Sequence, residues 1–196
     1  MKTVIVIFTG IQNQINPADV VQTKSILIIV PAENFNEQEF LGTKNTLERN
    51  GLNVFIGSDA NTVCTGTQGM KVKADVSFFN IHVNNFAGIV FTGGPGVLNY
   101  WDNNFLWKTA GKFCNSGKLT AAICSAPLIL ARAGLLNGKE ATCFPKDKDK
   151  LEREGAVYID RNVVVAGNII TAQGPYAAVE FGMKIAELLK YGRTYG

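Results

Sequence analysis

The sequence predicts an α/β fold built on a doubly wound, mostly parallel sheet between layers of helices. Three observations carry this expectation. Apolar, β-branched runs alternate along the chain with stretches of helical period. Several of those runs are continuous rather than alternating in polarity, the pattern of strands covered on both faces. Glycines that stop helices fall between them, and strands alternating with helices build a parallel sheet.

The elements follow in order. TVIVIF (3–8) is an apolar run too short for a signal-peptide core or a membrane span, so it reads as a strand. SILIIV (25–30), NVFI (53–56), AGIVFT (87–92), LTAAIC (119–124), VVV (163–165) and IITA (169–172) read as strands of the sheet. Helices are expected over 37–50, ending at Gly51, over about 103–115, and from Cys124 to a stop at Gly134. A last one spans about 176–190, with Val179, Met183 and Ala186 on one stripe. Residues 61–76 read as a hairpin, and VVVAGNIITA as a second that turns at Ala166-Gly167-Asn168. Together these make a flavodoxin-like three-layer sandwich with β-hairpin additions. No linker, repeat or low-complexity tract interrupts residues 25–196, which read as one domain, with 1–24 as an N-terminal extension carrying a possible extra strand.

Composition removes several function classes. The chain has 196 residues, 46% hydrophobic and 18% charged, the balance of an ordinary globular protein. A net charge of +3 is mild and the basic residues are scattered, which argues against nucleic acid as a partner. The one dense charged tract, KDKDKLER (146–153), alternates acids with bases and reads as a solvated face. Cysteines 64, 114, 124 and 143 show no CxxC pair and no regular spacing, so they are expected to be reduced thiols in a cytoplasmic protein.

Chemistry concentrates at strand ends. In open α/β sheets, sites form at the carboxyl ends of the strands. Cys124 stands at such an end, on a strand-to-helix turn shaped like a nucleophile elbow, where a helix N-terminus favours a thiolate. A free cysteine is also a small core residue, and position is what separates the two readings. AGIVFTGGPG opens into Gly93 and Gly94, which allow close backbone approach and offer N–H groups to an oxyanion. This glycine stretch lacks the GK[ST] of a phosphate loop and does not fit GxGxxG. After SILIIV come Glu33, Glu37 and Glu39; Asn36 with Glu39 has the spacing of a capping box, while Glu39 is also a candidate to face the cysteine.

Taken together, ILIIVPAENFNEQEF, AGIVFTGGPG, AAICSAPLILARAGLLNGKEAT, NVVVAGNIITAQGP and AAVEFGMKIAELL resemble the DJ-1/PfpI (ThiJ/PfpI) family of the class I glutamine-amidotransferase-like superfamily. The likeness covers about residues 25–190. It implies that Cys124 is the elbow cysteine and Glu39 the glutamate that contacts it. It implies Gly94 and Ser125 as the two backbone oxyanion donors, and Gly174 and Pro175 as a loop bordering the pocket. It also implies a homodimer or higher homo-oligomer. Three departures qualify the likeness. Protease-like members carry histidine directly after the cysteine, where this chain has Ser125. The superfamily's Cys-His-Glu triad is missing its HxE segment. DJ-1 has a histidine before a proline where this chain has Phe144.

The only histidine, His82, precedes the 87–92 strand and should lie about 15 Å from the active edge, on the surface. A Cys-His pair and a histidine-containing metal site are therefore not expected; no cofactor and no metal are expected either. Without histidine, Cys124 and Glu39 should share one proton, with Glu39 protonated and donating toward sulfur. The first functional expectation is an enzyme acting on small carbonyl electrophiles, glyoxalase III- or deglycase-like. The alternative is a non-enzymatic redox or stress sensor working through Cys124 oxidation. A cysteine peptidase or amidase taking peptide-like substrates is a third reading, which the missing histidine disfavours. No membrane partner is expected.

Overall fold

The computed structural model describes residues 25–59 and 63–191. In chain order these form β1 (Ser25–Ile29), β2 (Glu33–Phe35), α1 (Glu37–Arg49), β3 (Asn53–Ser58), β4 (Val63–Gly66) and β5 (Lys71–Lys73). Next come β6 (Val76–Ser77), β7 (Gly88–Phe91), α2 (Asn104–Asn115), β8 (Leu119–Ile123), α3 (Pro127–Arg132) and β9 (Glu140–Ala141). The chain continues with α4 (Lys148–Arg153), β10 (Val157–Tyr158), β11 (Val163–Ala166), β12 (Ile169–Ala172) and α5 (Ala178–Tyr191). The strand expected at 3–8 and the extension 1–24 lie outside the described residues.

The main sheet has seven strands in the order β11-β12-β8-β7-β1-β3-β6. All its pairings are parallel except β11 with β12, which form the expected hairpin around Gly167. Successive side chains of a strand point to opposite faces, and β1 shows the consequence. Leu27 and Ile29 join a core with Leu106 and Phe113 of α2 and Leu128 of α3. Ile26 and Ile28 join a second core with Phe40 and Leu47 of α1 and Phe181 and Ile185 of α5. This is the predicted doubly wound α/β sandwich.

The helices begin where their caps dictate. Asn36 Oδ1 accepts the Glu39 amide at 3.0 Å to start α1, and Asn103 Oδ1 accepts from Phe105 and Leu106 to start α2. Pro127 opens α3, where its missing N–H costs nothing. Helices α1 and α5 pack closely because glycines face side chains across the contact. A Cβ on Gly42 would lie 2.8 Å from Ala178 Cβ, and one on Gly182 2.8 Å from Thr46 Cβ.

Three expectations need correction here. The stripe Val179, Met183, Ala186 does not face the core: Val179 and Met183 are exposed, and α5 buries Ala178, Phe181 and Ile185 instead. Those three positions follow the i, i+3, i+7 helical face. Residues 63–73 form the β4–β5 hairpin, but Val76 and Ser77 leave it to pair with β3 at the edge of the main sheet. The tract 146–153 is not wholly solvated, since Asp147 and Leu151 are buried.

Candidate active site

Strand order positions the site. From β1 the chain winds outward to β3 and then returns on the other side through β7, β8 and β12, so the topological switch lies at β1 and β7. The carboxyl ends of β7 and β8 deliver Gly93-Gly94 and Cys124 side by side. The Thr92 amide donates to Ile29 O at 3.0 Å and the Cys124 amide to Ala172 O at 2.9 Å, which fixes this edge.

Cys124 sits on a sharp elbow with φ 65°, a left-handed conformation that a side chain adopts at a cost of about 1–2 kcal/mol. The fold imposes it from both sides, because the Cys124 carbonyl also accepts the Phe144 amide at 2.7 Å. The turn aims the sulfur into a cavity of about 450 Å³, whose walls include Glu39, Gly94, Ser125, Phe144 and Pro175. Of the expected pocket loop, Pro175 lines this cavity, but Gly174 does not. Its nearest neighbour is the Phe144 ring, with Cδ2 3.8 Å from where a Gly174 Cβ would stand.

Glu39 is fully buried on the first turn of α1. Its Oε2 accepts the Gly93 amide at 3.0 Å, its carboxyl hydrogen-bonds with the Cys124 thiol, and Oε1 has no nitrogen or oxygen partner. The capping-box expectation is thus half met. Asn36 caps α1, but the Glu39 carboxyl does not return the bond, because the Asn36 amide donates to Gly93 O at 3.1 Å. The other two acids go elsewhere. Glu33 is exposed on β2, while Glu37 accepts from Thr67 Oγ1 at 2.7 Å and from the Gln68 amide. Burial alone would raise the Glu37 carboxyl, but these hydrogen bonds hold it below its ordinary value.

Burial decides the protonation of the central pair. It raises Glu39 from 4.5 to about 7, against the opposing pull of the hydrogen bonds from Cys124 and Gly93. It raises Cys124 from 9.0 to about 12, reinforced by the Glu39 charge and opposed by the Gly94 amide, which hydrogen-bonds to the sulfur. Burial thus works against charge on both groups, on the sulfur as well as on the carboxyl. Two anions in contact are costly here, so the pair shares one proton between the Glu39 carboxyl and the Cys124 sulfur. The helix that follows is short: α3 has six residues, and its cap Ala126 makes no side-chain hydrogen bond.

Ser125 stands between the elbow sulfur and a buried acid. Its Oγ–H donates to Asp147 Oδ2 at 2.7 Å and its carbonyl accepts Trp101 Nε1–H at 2.8 Å. The same Oγ hydrogen-bonds with the Cys124 sulfur at 3.9 Å, which pulls the thiol down against burial. Asp147 went unrecognised in sequence because its acceptor role depends on a serine 22 positions away, and the surrounding charges masked it. The exposed His82 precedes a short 3-10 turn (83–85) at the amino end of β7 and forms no pair with Cys124. Among the described residues no group of three or more His, Cys, Asp or Glu is placed to hold a metal ion. None of the described helices is long and apolar enough to cross a membrane.

A doubly wound sheet with a strained cysteine elbow and a buried glutamate beside it defines a class of α/β proteins. The sequence matches the DJ-1/PfpI family over residues 24–188, and the chain belongs to that family. It is 32% identical over 167 residues to the glutathione-independent glyoxalase DJR-1.2 of Caenorhabditis elegans, covering 85% of this chain and 89% of that protein. It is 30% identical over 164 residues to deglycase PfpI of Pyrococcus furiosus, covering 84% of this chain and 99% of that one. Among solved structures, a ThiJ/PfpI domain protein from Brachyspira murdochii superposes with a TM-score of 0.84 at 29% identity, covering 86% of this chain and 98% of the other. Drosophila melanogaster DJ-1beta superposes with a TM-score of 0.77 at 31% identity, covering 85% and 90%.

Proposed function

We propose that this chain is a cysteine-dependent enzyme acting on small carbonyl electrophiles, of the glyoxalase or deglycase type. The observation that carries the reading is the Glu39 carboxyl: buried, hydrogen-bonded with the Cys124 thiol, and with one oxygen free of nitrogen or oxygen partners. A carboxyl held near neutrality beside a protonated thiol is suited to general base and then general acid work. The names of the worm and Pyrococcus relatives support the same chemistry.

On a 2-oxoaldehyde the step balances without an external oxidant. The sulfur lone pair bonds to the aldehyde carbon as the thiol proton passes to Glu39, and the carbonyl π pair moves to oxygen. The Gly94 and Ser125 amides are the donors for that oxyanion. Glu39 returns its proton to give a hemithioacetal. Transfer of the aldehyde hydrogen, as a proton, from C1 to C2 then oxidises one carbon and reduces the next, leaving a thioester. Water hydrolyses the thioester, releasing a 2-hydroxy acid and the free thiol.

Methylglyoxal turnover, run beside a peptide panel with wild type, Cys124→Ser and Glu39→Gln, tests the reading. Wild type should consume the aldehyde and spare the peptides, and each variant should lose at least 100-fold, the lower end for a positioned acid–base group. Wild-type turnover that Cys124→Ser leaves intact would overturn it. A second reading, a redox sensor, draws on the same pair: below neutrality the Glu39 proton can be donated to a sulfinate oxygen on Cys124. Peroxide-dependent modification with no aldehyde turnover would favour that alternative. Peptidase activity is disfavoured, since the chain's only histidine is remote from the elbow.

A further inference from the structure

One wall of the cavity is charged in an unbalanced way. Lys146, Asp147 and Lys150 line it together with the apolar Pro95 and Leu98. Asp147 has both oxygens committed: Oδ2 accepts from Ser125, and Oδ1 accepts from Lys150 Nζ at 2.9 Å. Lys150 is therefore neutralised, and its ammonium also sits 4.5 Å from the centroid of the Trp101 ring. Lys146 has no ion pair or hydrogen bond among the described residues. The exposed Lys146 rides on a backbone turn that is held in place. The Phe144 amide donates to Cys124 O at 2.7 Å, and Asp147 Oδ2 accepts from Ser125 at 2.7 Å, so that turn is tied at both ends to the elbow.

We propose that the cavity takes a carbonyl compound that bears an anionic group, a carboxylate or a phosphate, with its carbonyl carbon at Cys124 and its anion on Lys146. The proposal rests on the reading of Cys124 as a nucleophile and adds the class of substrate. At about 450 Å³ the cavity falls at the small end of ligand sites, so the anion and the carbonyl belong to one compact molecule. The remaining charge favours this polarity. Asp147 and Lys150 cancel, the Glu39 carboxyl lies on the floor beside the sulfur, and the rim is left with one uncompensated cation. The apolar side chains of Pro95, Leu98 and Phe144 offer no competing anion.

The test compares a negatively charged and a neutral thiol reagent of similar size, so it needs no turnover. Rates of Cys124 alkylation by iodoacetate and by iodoacetamide are measured by mass spectrometry at fixed ionic strength. In wild type the iodoacetate-to-iodoacetamide ratio should be higher at Cys124 than at the half-buried Cys114. Lys146→Gln should lower the Cys124 ratio about five-fold, the range for one partly solvated charge pair, and Lys146→Glu should lower it further. Lys148→Gln, which changes a lysine outside the cavity, should not move it. High salt should lower the wild-type ratio. Acetate and inorganic phosphate separate the two anions: selective slowing by one, in wild type and not in Lys146→Gln, supports the proposal and names the group. A Cys124 ratio indifferent to both Lys146 variants and to salt would overturn the anion site while leaving the nucleophile intact. Failure of both reagents to label Cys124 would instead overturn the nucleophile, and this proposal with it.

Discussion

Glu39 and Cys124 meet across a gap that Gly93 keeps open. A Cβ on Gly93 would stand 2.6 Å from Cys124 Cβ and 2.7 Å from Glu39 Oε2, so no side chain fits between them. The same residue donates its amide to Glu39, which makes it both spacer and anchor.

Gly93→Ala should therefore part the pair rather than simply strain the turn. The inserted methyl should cost about 1–3 kcal/mol, the usual range for overpacking. Thermal melts should show the loss, and iodoacetamide labelling of Cys124 should lose its dependence on Glu39 ionisation. Labelling with an unchanged pH profile would show that the contact does not govern the thiol.

Stability should depend on pH through Glu39. Its folded-state value is raised by burial from 4.5 to about 7, so between those limits the native protein holds a proton that the unfolded chain has released. The contribution is complete below the unfolded value and is lost as pH rises through the folded one, by about 3 kcal/mol in all. Urea melts of wild type at about pH 5 and about pH 8 should differ in that direction. Glu39→Gln should flatten the difference, and a wild-type difference that persists in the variant would assign it to other groups.

These two predictions separate what was legible in the sequence from what was not. Strand ends were readable because buried parallel strands announce themselves as continuous apolar runs, as SILIIV and LTAAIC do. That placed Cys124 and Gly94 at one edge with Glu33, Glu37 and Glu39 after the neighbouring strand, and the family resemblance singled out Glu39 among the three. How far burial lifts the Glu39 carboxyl was not readable. It depends on how completely Glu39 is buried, which a first-turn acid in a sequence does not reveal. Asp147 and Lys146 were hidden for a related reason: an alternating charge tract looks solvated unless one knows that Ser125 reaches it. The α5 stripe failed more simply, because Val179 and Met183 are apolar yet face outward.

Those outward residues bear on assembly. Val179 and Met183 stand four apart on one exposed face of α5, and Tyr176 just before it is also exposed. Light scattering should report at least a homodimer, in which such apolar surface is covered. A monomer at micromolar concentration would contradict this. Met183→Glu should weaken association without changing the labelling of Cys124.

Oxidation should select Cys124 among the four cysteines. Cys64 and Cys143 are fully buried, and burial with nearby carboxylates raises the Cys143 thiol to about 12. Cys124 is equally reluctant to ionise, yet it opens on the cavity and has a carboxyl within reach to take its proton. Brief peroxide exposure followed by peptide mass spectrometry should find sulfenic and then sulfinic acid at Cys124, with Cys64 and Cys143 unmodified. The half-buried Cys114 is the internal competitor, and earlier modification there would show that exposure, not the carboxyl, governs reactivity.

The pH profile of turnover carries the sharpest statement about mechanism. Burial and the neighbouring Glu39 charge push the Cys124 thiol up, which favours loss of its proton to a base during the attack. Glu39 can accept that proton only when ionised, and its value of about 7 places the change within the working range. The sign follows: kcat/KM for an aldehyde should rise with pH and level off above about 7, with no second rise until the thiol itself ionises. Glu39→Gln should lower kcat/KM at neutral pH by at least 100-fold and remove the inflection, leaving a rate that climbs with hydroxide toward high pH. Glu39→Asp keeps the carboxyl but draws it back by one methylene, so it should retain an inflection at a reduced rate. An inflection near 7 that survives in Glu39→Gln would show that another group accepts the thiol proton.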